Sequence, residues 1–387
     1  MAVASITLPR ILRIGAGASA ELVATLAELG YRRPYVVTDP FMLEQGFCER
    51  LTAPLTAAGI PWEVFADCVP DPTTDSVAAA LASLNAGEHD CLVALGGGSS
   101  LDTAKAVAVL ARHGGQMRDY KVPAAVHSAM PLIAVPTTAG TGSEVTRAAV
   151  ITDTASEEKM LCMGLGLVPE AALVDFELTL SMPHRLTADT GIDSLCHALE
   201  AYVSRKANPF TDSIALTAMR GIHTHIRTAC AEPDNRVARE AMMLAATHGG
   251  MAFANASVTL IHGMSRPIGA HFHVPHGLSN AMLLPEVTAW SLPGAPARYA
   301  TCARVMGLAG DREGEEAAAE KLVAGLRQLN QDLAVPGPRS FGIDPRRWQE
   351  NLPLMAEQAL ASGSPANNPR QPTVDEIVSL YQRVWAA

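Results

Sequence analysis

The stretch CLVALGGGSSLDTAK (residues 91–105) joins a short apolar run to a helical pattern through three consecutive glycines. Glycine lets a backbone approach a ligand closely, and the free N–H groups at the start of a helix attract an anion such as a pyrophosphate. Comparable apolar runs alternate with helical patterns around it: the runs span 33–39, 62–66, 91–98 and 131–138, and the helical patterns include 73–86 and 99–112. Strands that alternate with helices indicate an α/β domain with a doubly wound, Rossmann-like parallel sheet.

The second half of the chain has a different pattern. Beyond about residue 184, strand signals are scarce and Ala/Leu/Met-rich segments have helical periodicity. These segments span 187–204, 208–228, 236–259, 276–290, 295–308 and 314–332. At 387 residues the chain also exceeds the size at which a single hydrophobic core is usual. We therefore predict an α/β domain over residues 1–183 and an all-helical domain over residues 184–387.

The charge and composition of the chain argue against several kinds of partner. The net charge is −10 and no run of Lys or Arg occurs, which argues against nucleic acid and anionic membranes. No apolar run reaches the ~18 residues of a transmembrane helix, and the first residues lack the pattern of a signal peptide. The seven cysteines are scattered without a C-x-x-C motif, which is typical of reduced thiols. We expect a cytoplasmic protein with no nucleic-acid or membrane partner.

A second loop resembles the first in its position after an apolar run. PTTAGTGSEVT (136–146) adds hydroxyl groups from Thr137, Thr138 and Ser143. Asp39 ends another apolar run, where a carboxylate can accept hydrogen bonds from a ribose and repel a 2′-phosphate. One glycine-rich loop alone is equally consistent with an ordinary turn of an α/β protein. Two loops and an acidic strand end together favour a nucleotide site in the first domain.

The stretch GIDSLCHALE (191–200) places Asp193 and His197 four residues apart, and therefore on one helical face. Such a pair is most often a local hydrogen bond or a coincidence. The later segment 259–280 is dense in histidine and broken by Pro and Gly, which predicts an interrupted helix and a second helix that begins at PHG (275–277). Its histidines are His262, His271, His273 and His276. One carboxylate with several imidazoles suits Fe²⁺ or Zn²⁺.

Several segments make the chain similar to the iron-dependent (group III) alcohol dehydrogenases, the family of lactaldehyde reductase and 1,3-propanediol dehydrogenase. They occur in order and at family-like spacings over nearly the whole chain: GGGSSLDTAK, PTTAGTGSEVT, DFELTLSMPHRLTADTGIDSLCHALEAYVS, NPFTDSIAL, GMAFANASVTLIHGM and VPHGLSNAMLLP. The resemblance implies an oxidoreductase for a small alcohol or aldehyde, with NAD as hydride carrier and Fe²⁺, or Zn²⁺, as Lewis acid. It also implies a homodimer or higher homo-oligomer, in which the alternating stretch SITLPRILRI (5–14) could pair across subunits, although an edge strand within one chain would look the same.

The resemblance also assigns residues to these roles. It makes the first domain the NAD-binding domain and the second the metal-binding and substrate domain. The implied metal ligands are Asp193, His197, His262 and His276. The implied nucleotide contacts are Asp39, Gly97, Gly98, Ser99, Asp102, Thr137, Thr138, Ser143, Lys159, Thr179 and Met182. Asp39 would favour NAD over NADP, and Phe253 would line the substrate pocket.

Some positions depart from the family pattern. Arg266 stands where the family usually has a second histidine near the metal, and His273 stands where Asn or Asp is common. An arginine cannot serve as a general base, but it can bind an anionic group of a substrate bidentately. The alternative is that Arg266 forms a structural ion pair and faces away from the site. Any proton relay would then involve His273, His271 or water. Ala148 and the DPT at 71–73 are further departures.

Other functions are also compatible with a two-domain nucleotide-binding chain. A hydroxyacid–oxoacid transhydrogenase with tightly bound NAD differs from a dehydrogenase in needing a second oxoacid. A lyase resembling dehydroquinate synthase needs several basic residues around its substrate, and its signature segments are absent. A metal-free maleylacetate reductase would lack the Asp/His set, and a non-catalytic nucleotide-binding or assembly protein would not need it. We therefore expect a metal-dependent dehydrogenase, with a substrate that could carry an acidic group.

Overall fold

The computed structural model describes residues 3–156 and 158–386. The chain divides into two compact units, one formed by Ser5–Ser181 and the other by the chain from Met182 onward together with residues 3–4. The predicted domain boundary at residue 183 lies close to this division, while the roles predicted for the two domains stay predictions.

The first unit contains every strand of the described residues. These are β1 (Ile11–Ile14), β2 (Pro34–Val37), β3 (Glu63–Phe65), β4 (Cys91–Gly96), β5 (Leu132–Pro136), β6 (Ala148–Asp153), β7 (Glu158–Met163) and β8 (Ala171–Val174). Its helices are α1 (Leu22–Leu29), α2 (Pro40–Glu44), α3 (Phe47–Ala57), α4 (Thr74–Leu84) and α5 (Gly98–His113). Six strands form one parallel sheet in the order β1-β8-β5-β4-β2-β3. The predicted α/β fold class with a parallel sheet is confirmed.

Three of the four predicted strands are buried along their whole length. The fourth, β3, is exposed at Glu63, and β8 is fully buried but was not predicted. Every residue of β2, β4 and β5 is buried, so these strands consist of nearly uninterrupted apolar residues. β1 is half-buried at one edge of the sheet, where Ile11 lies opposite Ala171 of β8. Part of the N-terminal alternating stretch is therefore an edge strand within the chain.

A β-hairpin formed by β6 and β7 was not predicted. The two strands are antiparallel, with Val150 opposite Leu161. Buried and less buried residues alternate along both strands. This alternation differs from the continuous apolar runs that mark the inner strands of the parallel sheet.

The second unit is helical, as predicted. Its helices are α6 (His184–Val203), α7 (Pro209–Ala231), α8 (Arg236–Asn255), α9 (Leu260–Phe272), α10 (His276–Ser291), α11 (Pro296–Val305), α12 (Glu315–Asp332), α13 (Pro338–Phe341), α14 (Pro345–Ala361) and α15 (Val374–Ala386). α7, α8, α9 and α10 all pack against α6. Among the described residues, none of the helices combines the length and apolar character needed to cross a bilayer.

The break between α9 and α10 positions two of the predicted metal ligands. α10 begins at His276 as predicted, but Pro267 lies inside α9, and the interruption falls at residues 273–275. His273 adopts a left-handed conformation with φ of 54° at the end of α9. Pro275 lies two residues later, and a proline disfavours helical conformation in the residue before it, here Val274. The chain therefore turns immediately before His276.

Candidate metal centre and nucleotide loops

α6 presents three ionisable side chains on one face. Asp193, His197 and Glu200 are spaced by four and three residues, which places them side by side along the helix. They are 2%, 4% and 0% exposed. Buried ionisable groups are unfavourable unless hydrogen bonds, opposite charges or a metal compensate them. This face of α6 therefore needs partners from the helices around it.

α9 and α10 supply two further imidazoles. Asp193 Oδ1 lies 3.8 Å from His197 Nε2 and 3.5 Å from His262 Nε2. The same oxygen lies 3.7 Å from His276 Nε2. One donor atom from each of these four residues lies within 4.8 Å of the other three. The structure thus brings together all four residues that were predicted as metal ligands.

The donor set fits a single divalent transition metal. Three imidazole nitrogens and one carboxylate oxygen suit Fe²⁺ and Zn²⁺. The side chains of Asp193, His197 and His262 are at most 5% exposed, whereas the side chain of His276 is 47% exposed. The cluster is therefore closed on the side of α6 and open on the side of His276.

Glu200 holds the His262 ring in place, and this role was not predicted from the sequence. One of its oxygens accepts hydrogen bonds from the Thr259 hydroxyl (2.7 Å) and the backbone N–H of Ile261 (2.7 Å). Its other oxygen accepts a hydrogen bond from His262 Nδ1. A carboxylate that holds one imidazole nitrogen fixes the ring and directs the other nitrogen to a metal. The only sequence signal was the position of Glu200, three residues after His197 on the same helical face.

Asn280 was also missed. It is fully buried on α10, and its Nδ2 donates a hydrogen bond of 2.6 Å to Asp193 Oδ1. Because Asn280 follows His276 by four residues, it shares the face of α10 that carries this ligand.

The electrostatics of the cluster keep two donors in the form that binds metal. Burial lowers the pKa of His197 to about 4, so its imidazole is neutral. Burial alone would raise the pKa of Asp193, but His197, His276 and His262 hold it well below its usual range, so the carboxylate is ionised. For His262, burial is outweighed by Glu200 and Asp193, which raise its pKa to about 9. Metal binding at neutral pH should therefore release a proton from His262.

Phe253 and Arg266 lie near this cluster. The Phe253 ring stacks on His197 with a centroid distance of 4.3 Å. Arg266 follows His262 by four residues on α9, so it points from the same helical face. It is half-buried, and within the described residues its guanidinium takes part in no hydrogen bond or ion pair. Burial lowers its pKa, and the nearby charge of Glu200 opposes this shift. The predicted alternative of a structural ion pair for Arg266 is therefore not found within the described residues.

The two histidines considered for a proton relay differ in their surroundings. His271 Nε2 lies 2.8 Å from Gln358 Oε1 of α14. His273 is exposed at the end of α9. Of the two, His273 is the side chain that is open to solvent.

In the first unit, the glycine-rich loop joins β4 to α5. Gly96 has a φ of 145°, and a Cβ at this position would lie 2.5 Å from Ser100 Oγ, so the turn requires glycine. α5 begins at Gly98, and the N–H groups of its first residues, among them Ser99, have no acceptor within the helix. This helix start can accept an anion.

The structure brings the second predicted loop beside the first. The backbone N–H of Thr137 donates to the carbonyl of Gly96 (2.9 Å). A Cβ at Gly97 would lie 3.2 Å from Thr138 Cγ2. Both loops therefore leave the same edge of the parallel sheet in close contact.

Asp39 also lies at this edge. It caps α2 by accepting a hydrogen bond from the N–H of Met42 (3.1 Å), and Ser100 Oγ donates to its other oxygen (3.0 Å). A carboxylate has lone pairs beyond these two bonds, so further hydrogen bonds to a ligand are possible.

Asp102 and Ser143 are bonded to each other, and Ser143 also accepts from a buried lysine, Lys105, that was not predicted. Ser143 Oγ donates to Asp102 Oδ1 (2.8 Å), and the N–H of Val150 donates to Asp102 Oδ2 (2.9 Å). Lys105 Nζ lies within hydrogen-bond distance of five oxygens, which belong to Ser143, Thr146 and Ala148. These contacts tie α5 to the loop and to β6. Asp102 and Ser143 thus have internal partners, and their predicted contact with a nucleotide stays a prediction.

The other predicted nucleotide contacts have partners outside the two loops. Lys159 Nζ on β7 lies 3.0 Å from Asp71 Oδ1. The Thr179 hydroxyl donates to the carbonyl of Phe176 (2.7 Å). Met182 belongs to the second unit. Their roles stay predictions.

Comparison with known proteins identifies the family. The family profile described as "Iron-containing alcohol dehydrogenase" matches residues 9–176, and "Fe-containing alcohol dehydrogenase family, C-terminal" matches residues 187–385. Lactaldehyde reductase of Escherichia coli (strain K12) is 34% identical over 374 residues, which cover 96% of this chain and 97% of that protein.

Solved structures agree with these matches. A 1,3-propanediol oxidoreductase structure has a TM-score of 0.95 and 34% identity, and covers 99% of this chain and 100% of that one. The structure of sulfoacetaldehyde reductase from Bifidobacterium kashiwanohense in complex with NAD⁺ has a TM-score of 0.90 and 28% identity, with 100% of both chains covered. The resemblance seen in the sequence is thereby confirmed, and the chain belongs to the iron-containing alcohol dehydrogenases, a family of oxidoreductases.

Proposed function

We propose that the protein is an NAD-dependent and metal-dependent alcohol dehydrogenase or aldehyde reductase that acts on a small alcohol or aldehyde. The observation that carries the proposal is the set of four donor atoms from Asp193, His197, His262 and His276 within 4.8 Å of one another. Fe²⁺ is the ion we assign, from the family, and Zn²⁺ is the alternative that the same donors accept.

When bound, the metal ion polarises the substrate oxygen as a Lewis acid, and the nicotinamide accepts or returns the hydride. The residues of the chain prepare the site for this chemistry. Glu200 holds the proton of His262 on Nδ1, which leaves Nε2 directed toward the other donors. Phe253 stacks on His197, which limits rotation of the ring and gives this part of the site an apolar wall. The exposed side of His276 leaves room for a substrate.

The nucleotide is assigned to the first unit. The start of α5 offers free N–H groups to a pyrophosphate, and Asp39 lies beside it with lone pairs available to a ribose. The NAD⁺ complex of the similar sulfoacetaldehyde reductase supports this assignment. Asp39→Gly should improve the use of NADP, and it should cost the α2 cap only a few tenths of a kcal/mol. An unchanged ratio of kcat/KM for NADPH over NADH would contradict the role of Asp39.

Arg266 suggests a substrate with an acidic group. Its half-buried guanidinium has no ion-pair partner within the described residues, and it follows the ligand His262 by one helical turn. A guanidinium binds a carboxylate or a sulfonate in a bidentate manner. Sulfoacetaldehyde, named for one similar structure, carries a sulfonate. Since an arginine cannot accept a proton, we assign proton exchange to His273 or water.

The test is the loss of NADH absorbance with anaerobically purified, Fe²⁺-reconstituted protein. Short aldehydes are offered in matched pairs, with and without a terminal acidic group. Turnover of either set supports the dehydrogenase, and a preference for the acidic set that Arg266→His removes supports the role of Arg266. An equal preference in both proteins would contradict that role. If metal and NADH bind but neither set is turned over, a transhydrogenase or a lyase replaces the dehydrogenase.

We also propose a homodimer or higher homo-oligomer located in the cytoplasm. β1 lies at the edge of the sheet, where one side of a strand is available for pairing with a second chain. Light scattering coupled to size-exclusion chromatography tests this proposal, and a monomeric mass at micromolar concentration would contradict it.

A further inference from the structure

We propose that Asn280 positions Asp193 in the metal centre and thereby determines how tightly the centre holds its ion. This inference rests on the metal binding proposed above. It concerns a residue outside the four donors, which acts on the ion through one of them.

The amide of Asn280 is packed against the donor atoms. Asn280 is fully buried, one helical turn after His276 on α10. Its Nδ2 lies 2.6 Å from Asp193 Oδ1, 3.2 Å from His262 Nε2 and 3.3 Å from His276 Nε2. The nitrogen therefore contacts three of the four donor atoms.

The shortest of these contacts is to the carboxylate. Outside the three histidines, Asn280 is the one hydrogen-bond donor to Asp193 among the residues that the structure describes. Each oxygen of an ionised carboxylate has two lone pairs. One N–H donated to Oδ1 uses one of them and leaves the other for an ion. The hydrogen bond also prevents the carboxylate from rotating to present both oxygens.

The oxygen of the Asn280 amide differs from its nitrogen in its surroundings. Asn280 Oδ1 is buried and has no hydrogen-bond partner among the described residues. A buried carbonyl oxygen without a partner is unfavourable for folding. Reversing the amide would place this oxygen against Asp193 Oδ1, where two negative atoms repel each other. The orientation is therefore fixed by Asp193, and the favourable interaction of the amide is its hydrogen bond to that carboxylate.

The experiment measures Co²⁺ binding to the metal-free full-length protein. Co²⁺ reports affinity in competition with a chelator, and its visible absorption reports the coordination number. Asn280→Leu removes the N–H at nearly constant size, and Asn280→Ala repeats the test if the leucine variant does not fold. Asn368→Leu is the control, because Asn368 is equally buried in the same unit but bonds to Ser291 Oγ and the carbonyl of Arg370.

We expect Asn280→Leu to bind Co²⁺ roughly 10- to 100-fold more weakly than the wild type, the usual effect of losing a residue that orients a metal ligand. We also expect a weaker visible Co²⁺ band. Without the Asn280 hydrogen bond, Asp193 can bind the ion through both oxygens, and the higher coordination number weakens the band. Asn368→Leu should match the wild type in both measurements. Wild-type affinity and spectrum in both Asn280 variants would overturn the inference and leave the metal centre intact. Failure of the wild-type protein to bind Co²⁺ would overturn both the metal centre and this inference.

Discussion

Glu200 contacts the four candidate metal ligands through His262, and it also determines the arrangement of α9 near them. Its hydrogen bonds to the Thr259 hydroxyl and the N–H of Ile261 hold the first turn of that helix against α6. The same carboxylate fixes which nitrogen of His262 carries the proton. A single buried negative charge thus contributes to helix packing and to the preparation of a ligand.

Glu200→Gln keeps the size of the side chain and removes its charge. We expect apparent Fe²⁺ affinity to fall roughly 10- to 100-fold, because a neutral amide is a weaker acceptor for His262 Nδ1–H and leaves the imidazole less basic. The measurement is the metal content after dialysis against a graded chelator. Glu240→Gln, which makes the same change at an exposed position of α8, is the control. Equal metal retention in both variants would contradict this role of Glu200.

At the level of elements, Lys105 and Asp102 connect α5 to the loop 136–146. Burial lowers the pKa of Lys105 to about 8, which still leaves the ammonium form dominant at neutral pH. Its five oxygen neighbours lie on the loop and at the start of β6, so one side chain holds three parts of the unit together.

Lys105→Met should weaken NADH binding about tenfold or more. Buried acceptors without their donor are unfavourable in the folded loop, so the loop would leave its present conformation and NADH binding would have to restore it. A restoring cost of about 1.4 kcal/mol corresponds to tenfold in affinity. Co²⁺ binding should not change, because the four donors belong to the other unit. NADH fluorescence titration measures the first effect, and Lys121→Met, at an exposed lysine paired with Glu158, is the control. Unaltered NADH affinity would show that the loop does not need this connection.

At the scale of the whole molecule, two half-buried histidines connect stability to pH. Burial lowers the pKa of both His223 and His248 in the second unit below the usual value of 6.5. As pH falls below 6.5, the unfolded chain takes up these protons before the folded chain does. Stability is therefore lost on acidification, by at most about 1.4 kcal/mol per pH unit for each histidine.

His248→Gln should reduce this loss between pH 7 and pH 5.5. Urea unfolding of the metal-free protein at the two values measures it, and His127→Gln, at an exposed position of the first unit, is the control. The same pH-dependent loss in the wild type and in His248→Gln would contradict the assignment to His248.

The sequence predicted the inner strands because their burial is visible as a run of apolar residues. The inner strands β2, β4 and β5 are buried on both faces and therefore appear as apolar runs. β6 and β7 were missed because they have one buried face. β1 is half-buried and does not form an apolar run, so its alternating stretch left open whether it pairs within the chain or across subunits.

The candidate site was likewise predicted only where a local pattern or a family motif marks the residue. Asp193 and His197 were identified because they lie one helical turn apart, and His262 and His276 because the family motifs contain them. Glu200, Asn280 and Lys105 were missed because their partners lie far away in sequence, and no local pattern indicates which carboxylate will meet which imidazole. The packing of α9 and α10 against α6 brings Glu200 and Asn280 to their partners, and the packing of α5 against β6 does the same for Lys105.

The order of the sheet has a consequence for synthesis on the ribosome. β1 is made first, yet its neighbour in the sheet is β8, the last strand of the unit. The Asp175 carboxylate, which accepts hydrogen bonds from Gly17 and Ser19 after β1, also comes from that end. The nascent first unit therefore completes its sheet only after Asp175 has left the exit tunnel. Until then β5 is a temporary edge, and a stalled or truncated chain would expose it to pairing with other polypeptides.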